Sequence, residues 1–115
     1  MKISPVVIYK VLGAQIRLRL VVLIQDQQTL CVSDLVHALR LPQPKVSGHL
    51  ALLKNSGLLI TRRIDQRIYY LTNPELPEWA VAVLNLTRET VHGHLPYTVD
   101  RRRILTREVD RKNIR

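Results

Sequence analysis

Apolar positions recur at helical spacing through the first half of the chain. Residues 5–12 form a short apolar segment, and Gly13 interrupts the pattern before a second segment, residues 15–25, which carries its arginines on one side. A period near 3.6 with one polar side is typical of a helix that packs on a core. The pattern therefore predicts two consecutive helices, separated at the glycine.

A third and a fourth helix follow, with a proline pair between them. Ser33 is the predicted N-cap of the third helix, because a serine hydroxyl can accept a hydrogen bond from the first turn. Pro42 and Pro44 end that helix and open the fourth, since proline is tolerated only in the first turn. Gly57 is the predicted C-cap of the fourth helix. The order is helix, tight turn, helix.

Two short strands come next. Residues 58–64 and 67–71 are rich in β-branched and aromatic side chains, and Asp65 and Gln66 join them in a two-residue turn. Aspartate tolerates the left-handed backbone that such a turn requires. The pattern predicts a β-hairpin that projects from the helical part of the chain.

The last strongly apolar segment predicts a helix that contacts more than its own domain. Pro74 and Pro77 bracket its start, and residues 79–86 are apolar on nearly every side. A second copy of the chain is the simplest partner for the surplus face. The candidate dimer contacts lie on the first helix and on this one, and core packing within one chain is an equal alternative for each: Val7, Val11, Trp79, Val83 and Leu84.

The fourth helix separates its side chains by size and polarity. Val46, Leu50 and Leu53 fall on one face, because helical residues advance by about 100° each. The opposite face carries small or polar residues: Pro44, Lys45, Ser47, Gly48 and Ala51. Such a helix can enter the major groove of DNA, where base edges present a readable pattern of donors and acceptors. An ordinary amphipathic surface helix would show the same periodicity.

Composition favours a nucleic-acid partner. The 115 residues include 18 Lys and Arg against 9 Asp and Glu, for a net charge of +9 and a pI near 10.5. The phosphate backbone of a nucleic acid is the usual partner of such a surface, and an anionic membrane surface is the alternative. No apolar run approaches the roughly 18 residues of a membrane span, and no signal peptide is evident, so we expect a cytoplasmic protein without a membrane partner. A single cysteine excludes an intrachain disulfide.

Residues 9–95 resemble the ArsR family of bacterial repressors. The resemblance rests on Y-K-V-L-G-A-Q-I-R-L-R-L, L-C-V-S-D-L, L-P-Q-P-K-V-S-G-H-L-A-L-L-K-N-S-G-L-L, R-R-x-D-x-R-I-Y-Y-L and L-P-E-W-A. It implies a mainly α fold with a β-hairpin wing, that is, a homodimeric winged helix-turn-helix with four helices, two strands and a fifth helix. Within the family, S-G-H-L-A-L-L and L-P-E-W-A are most similar to the arsenical-resistance repressors.

The resemblance also implies the residues that contact DNA. Four positions of the fourth helix are expected to meet base edges and phosphates: Gln43, Lys45, Ser47 and His49. Three arginines of the wing are expected to reach flanking phosphates or the minor groove: Arg62, Arg63 and Arg67.

This chain departs from the family pattern near those contacts. Gly48 stands where relatives often carry a longer polar or basic side chain, so direct readout is lost there and DNA shape gains weight. Asp65 and Gln66 replace the usual glycine and basic residue of the wing tip, and a carboxylate there repels phosphate. Pro42 replaces a capping serine, at a cost of roughly 1 kcal/mol.

This chain lacks part of the effector site that its arsenic-sensing relatives have. Those relatives begin the third helix with C-V-C-D-L-C, whose thiolates bind a trivalent thiophilic ion, whereas residues 31–36 read C-V-S-D-L-V. Only Cys31 retains its sulfur, so a three-sulfur arsenite site cannot be built. A redox or electrophile switch at Cys31 and a buried small hydrophobic side chain are the remaining interpretations. The inducer, if one exists, is not identified by the sequence.

No metal, cofactor or catalytic site is predicted. Some relatives bind zinc between their last helices, but Glu89, His92 and His94 lack the ligand spacing that this requires. The chain has no glycine-rich phosphate loop and no base beside its lone cysteine, so we do not expect an enzyme.

The resulting hypothesis is a repressor that acts as a homodimer on a near-palindromic operator in duplex DNA, in an arsenic- or metal-resistance context. A sequence-tolerant architectural DNA-binding protein and a winged-helix module for protein interactions are the alternatives. Residues 1–97 are assigned to the DNA-binding and dimerisation domain and residues 98–115 to a basic tail, which holds seven basic and three acidic residues. A short helix and a disordered arm both remain open for the tail.

Overall fold

The computed structural model describes residues 3–113, and the side chains of residues 3–107. Within this range the chain forms six helices and three strands. Their bounds in chain order are α1 (Pro5–Leu12), α2 (Gln15–Gln27), β1 (Leu30–Cys31), α3 (Val32–Leu39), α4 (Gln43–Asn55), β2 (Leu59–Ile64), β3 (Arg67–Thr72), α5 (Glu78–Val91) and α6 (Tyr97–Asn113). In this range no helix has the length and apolar character needed to cross a membrane.

The first two helices are those that the apolar pattern predicts. The hydroxyl of Ser4 accepts a hydrogen bond from the backbone of Val7, and Pro5 stands in the first turn, so α1 begins where its donors are partly satisfied. Gly13 follows the last residue of α1. Helix α2 runs two residues past the predicted end and buries a continuous segment, residues 20–24, in the centre of the protein.

Helix α3 begins earlier than predicted, and the assignment of Ser33 as its N-cap is wrong. Cys31 is the N-cap: its backbone N–H donates to Asp34 Oδ2 at 3.2 Å, and its thiol donates to the same oxygen at 3.1 Å. An acidic residue three positions after the N-cap can satisfy the cap's own N–H, and Asp34 stands at that distance from Cys31. Ser33 lies exposed in the first turn.

The N-terminus of α4 agrees with the prediction from the sequence, and its C-terminus differs from that prediction. Pro42 is the N-cap and supplies no side-chain hydrogen bond, as the lost serine predicts. The C-cap is Ser56 rather than Gly57: its hydroxyl donates to the carbonyl oxygen of Leu53 at 2.7 Å and accepts from the backbone of Leu58. Gly57 comes next with a left-handed φ of 87°, which glycine adopts without strain.

The hairpin is present, and it belongs to a sheet with one more strand than predicted. Strands β2 and β3 pair antiparallel, with Ile64 opposite Arg67, and Asp65 adopts a left-handed φ of 57° in the turn. Strand β1 joins the other edge of β3, with Leu30 opposite Tyr70. This strand is only two residues long, too short for any alternation to appear in the sequence.

One core unites the helices with the base of the sheet. Its fully buried side chains come from α1, α2, α3, α4, α5 and β2, and include Ile8, Leu20, Leu35, Leu50 and Leu59. Burial of this apolar surface is the main favourable contribution to folding. The core holds the helix-turn-helix pair α3 and α4 in a fixed orientation to α2.

Helix α6 packs on α2 and α3. Its Asp100 is buried and accepts two hydrogen bonds from Arg19 of α2, while Arg103 donates to the carbonyl oxygen of Ala38 at 2.9 Å. Ile104 joins the common core. The described part of the tail is therefore helical, which is one of the two alternatives that the sequence left open. The division of the chain at residues 97 and 98 stays a prediction.

Candidate nucleic-acid interface

Helix α4 has one buried face and one open face. Val46, Leu50 and Leu53 have no exposed surface, whereas Gln43 and Lys45 are exposed at the first turn. Gly48 is exposed too, and a Cβ added there would meet nothing within 4 Å. The open face can therefore approach another surface closely.

Two of the predicted contact residues on this face form a pair. Gln43 Nε2 donates to Ser47 Oγ at 3.0 Å, across one helical turn. The bond orients the Gln43 amide, and it leaves the amide oxygen, the second amide proton and the hydroxyl proton of Ser47 available to a ligand. A base edge with both donors and acceptors could be met by this pair.

His49, the fourth predicted contact, is half-buried at the edge of the open face. Its Nδ1 lies 3.2 Å from Arg17 Nη1, and Arg17 belongs to α2. Burial lowers the pKa of His49, and the charges of Arg17 and Lys45 lower that pKa further. The neutral imidazole is therefore favoured at neutral pH.

The three arginines of the wing are all exposed. Arg62 and Arg67 lie on one face of the β2–β3 hairpin and Arg63 lies on the other, as the register and the alternation of a strand require. Asp65, also exposed, stands at the tip between the two strands. The wing thus combines three cations with one carboxylate, and its cations are exposed on both faces of the hairpin.

Cys31 is buried, and its surroundings are polar. Its sulfur lies 3.1 Å from Asp34 Oδ2 and 3.1 Å from Ser33 Oγ. Arg107 of α6 lies over this group, with its Nε 3.1 Å from Asp34 Oδ1. This environment agrees with the interpretation of Cys31 as a buried side chain, and an effector role for it stays a prediction.

The candidate dimer residues divide by exposure. Val7 is exposed and Trp79 and Val83 are half-buried, whereas Val11 and Leu84 are buried in the core of the single chain. For the last two, the structure matches the alternative of core packing. Further large apolar side chains on α1 and α5 are exposed and were missed by the sequence analysis: Val6, Tyr9, Val81 and Leu86.

Glu89 lies in the last turn of α5, His92 is its C-cap and His94 follows in the next turn, and all three are exposed. Across the described residues, no group of three or more His, Cys, Asp or Glu side chains is placed to hold a metal ion.

These features define a winged helix-turn-helix DNA-binding protein: a helix-turn-helix pair on a helical core, an open-faced second helix and a basic hairpin. The chain belongs to the ArsR family of bacterial regulatory proteins. The family model described as "Bacterial regulatory protein, arsR family" matches residues 14–61. Helix α4, the recognition helix of this fold, lies wholly inside that range, and so does the first half of β2, the first strand of the wing.

Curated relatives support the same assignment. The chain is 44% identical over 85 residues to the arsenic resistance transcriptional regulator ArsR2 of Pseudomonas putida, covering 74% of each protein. It is 41% identical over 81 residues to the arsenical resistance operon repressor of Escherichia coli, covering 70% of this chain and 69% of the relative. The match to ArsR1 of P. putida, at 44% identity, spans 64% of that protein, somewhat less than two thirds. These relatives are transcriptional regulators and not enzymes, as the sequence predicts.

Solved structures show the same fold. HlyU from Vibrio cholerae superimposes with a TM-score of 0.66 at 29% identity, covering 74% of this chain and 88% of HlyU. The AntR antimony-specific transcriptional repressor gives a TM-score of 0.62 at 26% identity, covering 80% and 86%. The prediction of a winged helix-turn-helix is therefore confirmed.

Proposed function

We propose that the protein is a cytoplasmic transcriptional repressor that binds a near-palindromic operator as a homodimer. The observation that supports this most directly is the open face of α4, where Gly48 is exposed with open space beside it and the polar side chains of Gln43 and Lys45 are exposed one turn before it. In a two-fold symmetric dimer the two α4 helices would enter successive major grooves of the duplex. The net charge of +9 would attract the protein to DNA of any sequence.

Base readout is assigned to α4 and phosphate contact mainly to the wing. The Gln43 and Ser47 pair offers donors and an acceptor to a base edge, Lys45 offers a charge, and His49 offers a ring nitrogen. Arg62, Arg63 and Arg67 are long, exposed cations suited to phosphate oxygens: they position the protein without reading sequence.

A second copy of the chain would cover the exposed apolar side chains of α1 and α5. Val7, Trp79 and Val83 are the predicted contacts that remain accessible, and Val6, Tyr9 and Leu86 are further exposed apolar side chains of the same two helices. Burying a contiguous apolar patch is the usual driving force for a stable homodimer. The dimer would also double the number of recognition helices.

The regulatory context is proposed from the relatives, three of which are named for arsenic or arsenical resistance. The mode of induction must differ from capture of arsenite by three thiolates, because Cys31 is the only cysteine of the chain and its thiol is buried beside Asp34. A thiol oxidant would reach Cys31 only after α3 or α6 moved.

A titration by fluorescence anisotropy tests the proposed function. The purified protein is titrated against a duplex from upstream of its own gene and against a scrambled duplex, with and without arsenite and a thiol oxidant, and its mass in solution is measured by light scattering. We expect a dimer that prefers the upstream duplex and is not released by arsenite. Release by the oxidant would assign the switch to Cys31, with Cys31→Ser as the matched control.

The net charge also supports a second candidate, a sequence-tolerant architectural protein. Equal binding of the two duplexes, with a steep dependence on salt, would favour that candidate and contradict the operator. Absence of binding even at low salt would instead favour a protein-interaction module. Within the proposed function, His49→Ala or Ser47→Ala should reduce the preference between duplexes, and Arg67→Ala should weaken binding to both alike.

A further inference from the structure

Arg17 links three helices that meet behind the recognition surface. It is partly buried on α2, and its Nε donates to the backbone carbonyl of Val11, in the last turn of α1, at 2.7 Å. Its Nη1 lies 3.2 Å from Nδ1 of His49 on α4. The first bond satisfies one of the carbonyl oxygens that the end of a helix leaves without a partner. The guanidinium is therefore held by one partner on α1 and by another on α4.

The chemistry of the two groups determines where the proton of His49 lies. A guanidinium has five N–H donors and no acceptor, and it stays protonated in proteins. Nδ1 of His49 must therefore accept the hydrogen bond, which requires an imidazole that is neutral and carries its proton on Nε2. In the other tautomer, or in the imidazolium, an N–H group would face the guanidinium N–H.

We propose that Arg17 is a positioning residue for DNA recognition: it holds His49 in the tautomer whose Nε2–H is free to donate to an acceptor atom of the duplex. This inference rests on the proposed function and deepens it, because it states which polarity of hydrogen bond one recognition residue offers. Arg17 itself is not required to touch DNA.

The environment of His49 supports this arrangement. Among the described residues no hydrogen bond reaches Nε2, and Nε2 is not one of the buried polar atoms left without a partner, so it keeps access to solvent. Burial, Arg17 and Lys45 all lower the pKa of His49, which keeps the ring neutral. The two ring nitrogens point in divergent directions, so one can be held by Arg17 while the other meets a ligand.

The tautomer selects the chemistry of the partner atom. An Nε2–H donor can pair with N7 or O6 of guanine, with N7 of adenine, with O4 of thymine or with a phosphate oxygen. It cannot pair with the amino groups of adenine or cytosine, which an unprotonated Nε2 would accept from. Arg17 would thereby exclude one class of base contact at a position that Arg17 does not reach.

The tautomer can be measured on the free protein by long-range ¹H–¹⁵N NMR correlation of the histidine rings. At pH 7.5 we expect His49 to show its proton on Nε2 and its Nδ1 as an acceptor. Arg17→Gln should give a mixture of tautomers, because an amide can donate or accept, and Arg17→Lys should restore the original one, because an ammonium only donates. A wild-type His49 that is charged, or that carries its proton on Nδ1, would overturn the inference without any variant.

Binding to the duplex from upstream of the gene then tests the consequence. Arg17→Gln should lose roughly tenfold in preference over the scrambled duplex, as should His49→Ala, and the double variant should lose no more than either. Arg17→Lys should recover most of the preference. Duplexes with single 7-deazapurine or methylphosphonate substitutions distinguish a purine N7 from a phosphate oxygen as the acceptor. The acceptor is the atom whose removal lowers wild-type binding but not that of His49→Ala.

The outcomes separate this inference from the proposed function. Equal binding of both duplexes by the wild-type protein would overturn the proposed function, and this inference with it. A wild-type preference that Arg17→Gln retains in full would overturn this inference alone. Additive losses in the double variant would also contradict it, because they would mean that the two residues act independently.

Discussion

Arg19 of α2 and Asp100 of α6 form a bidentate ion pair inside the protein. Arg19 Nε and Nη2 donate to the two carboxylate oxygens of Asp100 at 2.8 and 2.7 Å, and Asp100 is 1% exposed. The hydrogen bonding to Asp100 raises the pKa of Arg19 above its ordinary value, and burial opposes that rise. This pair connects the last helix to the centre of the fold.

Replacing Asp100 by Asn should destabilise the protein, because it leaves the guanidinium of Arg19 without its countercharge in a largely buried position. Breaking one side of a buried pair typically costs about 3 kcal/mol. We expect a lower midpoint of urea unfolding, measured by circular dichroism. The exposed Arg102 on the same helix provides a control, since Arg102→Gln should change stability by no more than about 0.5 kcal/mol. Equal midpoints for the two variants would show that the pair does not hold α6.

Two neighbouring side chains of α6 provide an independent test of its packing. Ile104 is 4% exposed and belongs to the core, whereas Leu105, the next residue, is 50% exposed. Ile104→Ala should cost about 2–4 kcal/mol, because it removes buried methyl groups and leaves a cavity. Leu105→Ala should cost far less, within roughly 0.5 kcal/mol. Similar losses, read from chemical unfolding curves, would contradict the docked position of α6.

The sequence predicts the elements whose apolar pattern is local, and it misses the contacts that are distant along the chain. The first five helices and the hairpin follow from periodicity and from the prolines and glycines between them. By contrast, 81 residues separate Arg19 from Asp100 and 32 separate Arg17 from His49. No local pattern records such a pair. The segment from residue 97 is dominated by charge, so its weak apolar stripe did not distinguish a docked helix from a free arm.

In the candidate site, too, the sequence predicts what a local motif records and misses what depends on distant contacts. The positions of α4 and of the wing arginines came from motif resemblance, and the structure leaves Gln43, Lys45 and Arg67 exposed. The preference for serine at N-caps predicts a start of the third helix that is two residues too late. The carboxylate that accepts from the N-cap's backbone N–H belongs to Asp34, and its partner is Cys31. The role of Arg17 beside His49 has no sequence motif of its own.

Asp65 should weaken the interaction of the wing with DNA. It is exposed at the tip of the hairpin, between strands that carry Arg62, Arg63 and Arg67, and its φ of 57° is one that asparagine also adopts readily. Asp65→Asn removes the charge without straining the turn. We expect tighter binding to all duplexes, by roughly twofold to fivefold at low salt, because one repulsion from phosphate is lost. A gain confined to one sequence would argue that Asp65 contacts a base.

The pH dependence of stability should report the environment of His49. Burial, followed by the charges of Arg17 and Lys45, lowers its pKa in the folded protein below the ordinary value of 6.5. The unfolded chain therefore binds more protons than the folded one between the two pKa values, so stability rises with pH in that window. The contribution of neutral His49 should be complete above about pH 6.5 and be lost as the pH falls toward the folded pKa.

The measurement is the free energy of unfolding of the wild type and of His49→Gln at a series of pH values from 7.5 to 5. Because the other histidines are common to both proteins, the difference between them isolates His49. We expect this difference to shift against the wild type as the pH falls below 6.5. In the Arg17→Gln background the same difference should depend less on pH but should not vanish, since burial is the largest cause of the lowered pKa and remains in place. A difference between the two proteins that is independent of pH would mean that folding does not lower the pKa of His49. An unchanged pH dependence in the Arg17→Gln background would mean that Arg17 does not oppose protonation of His49.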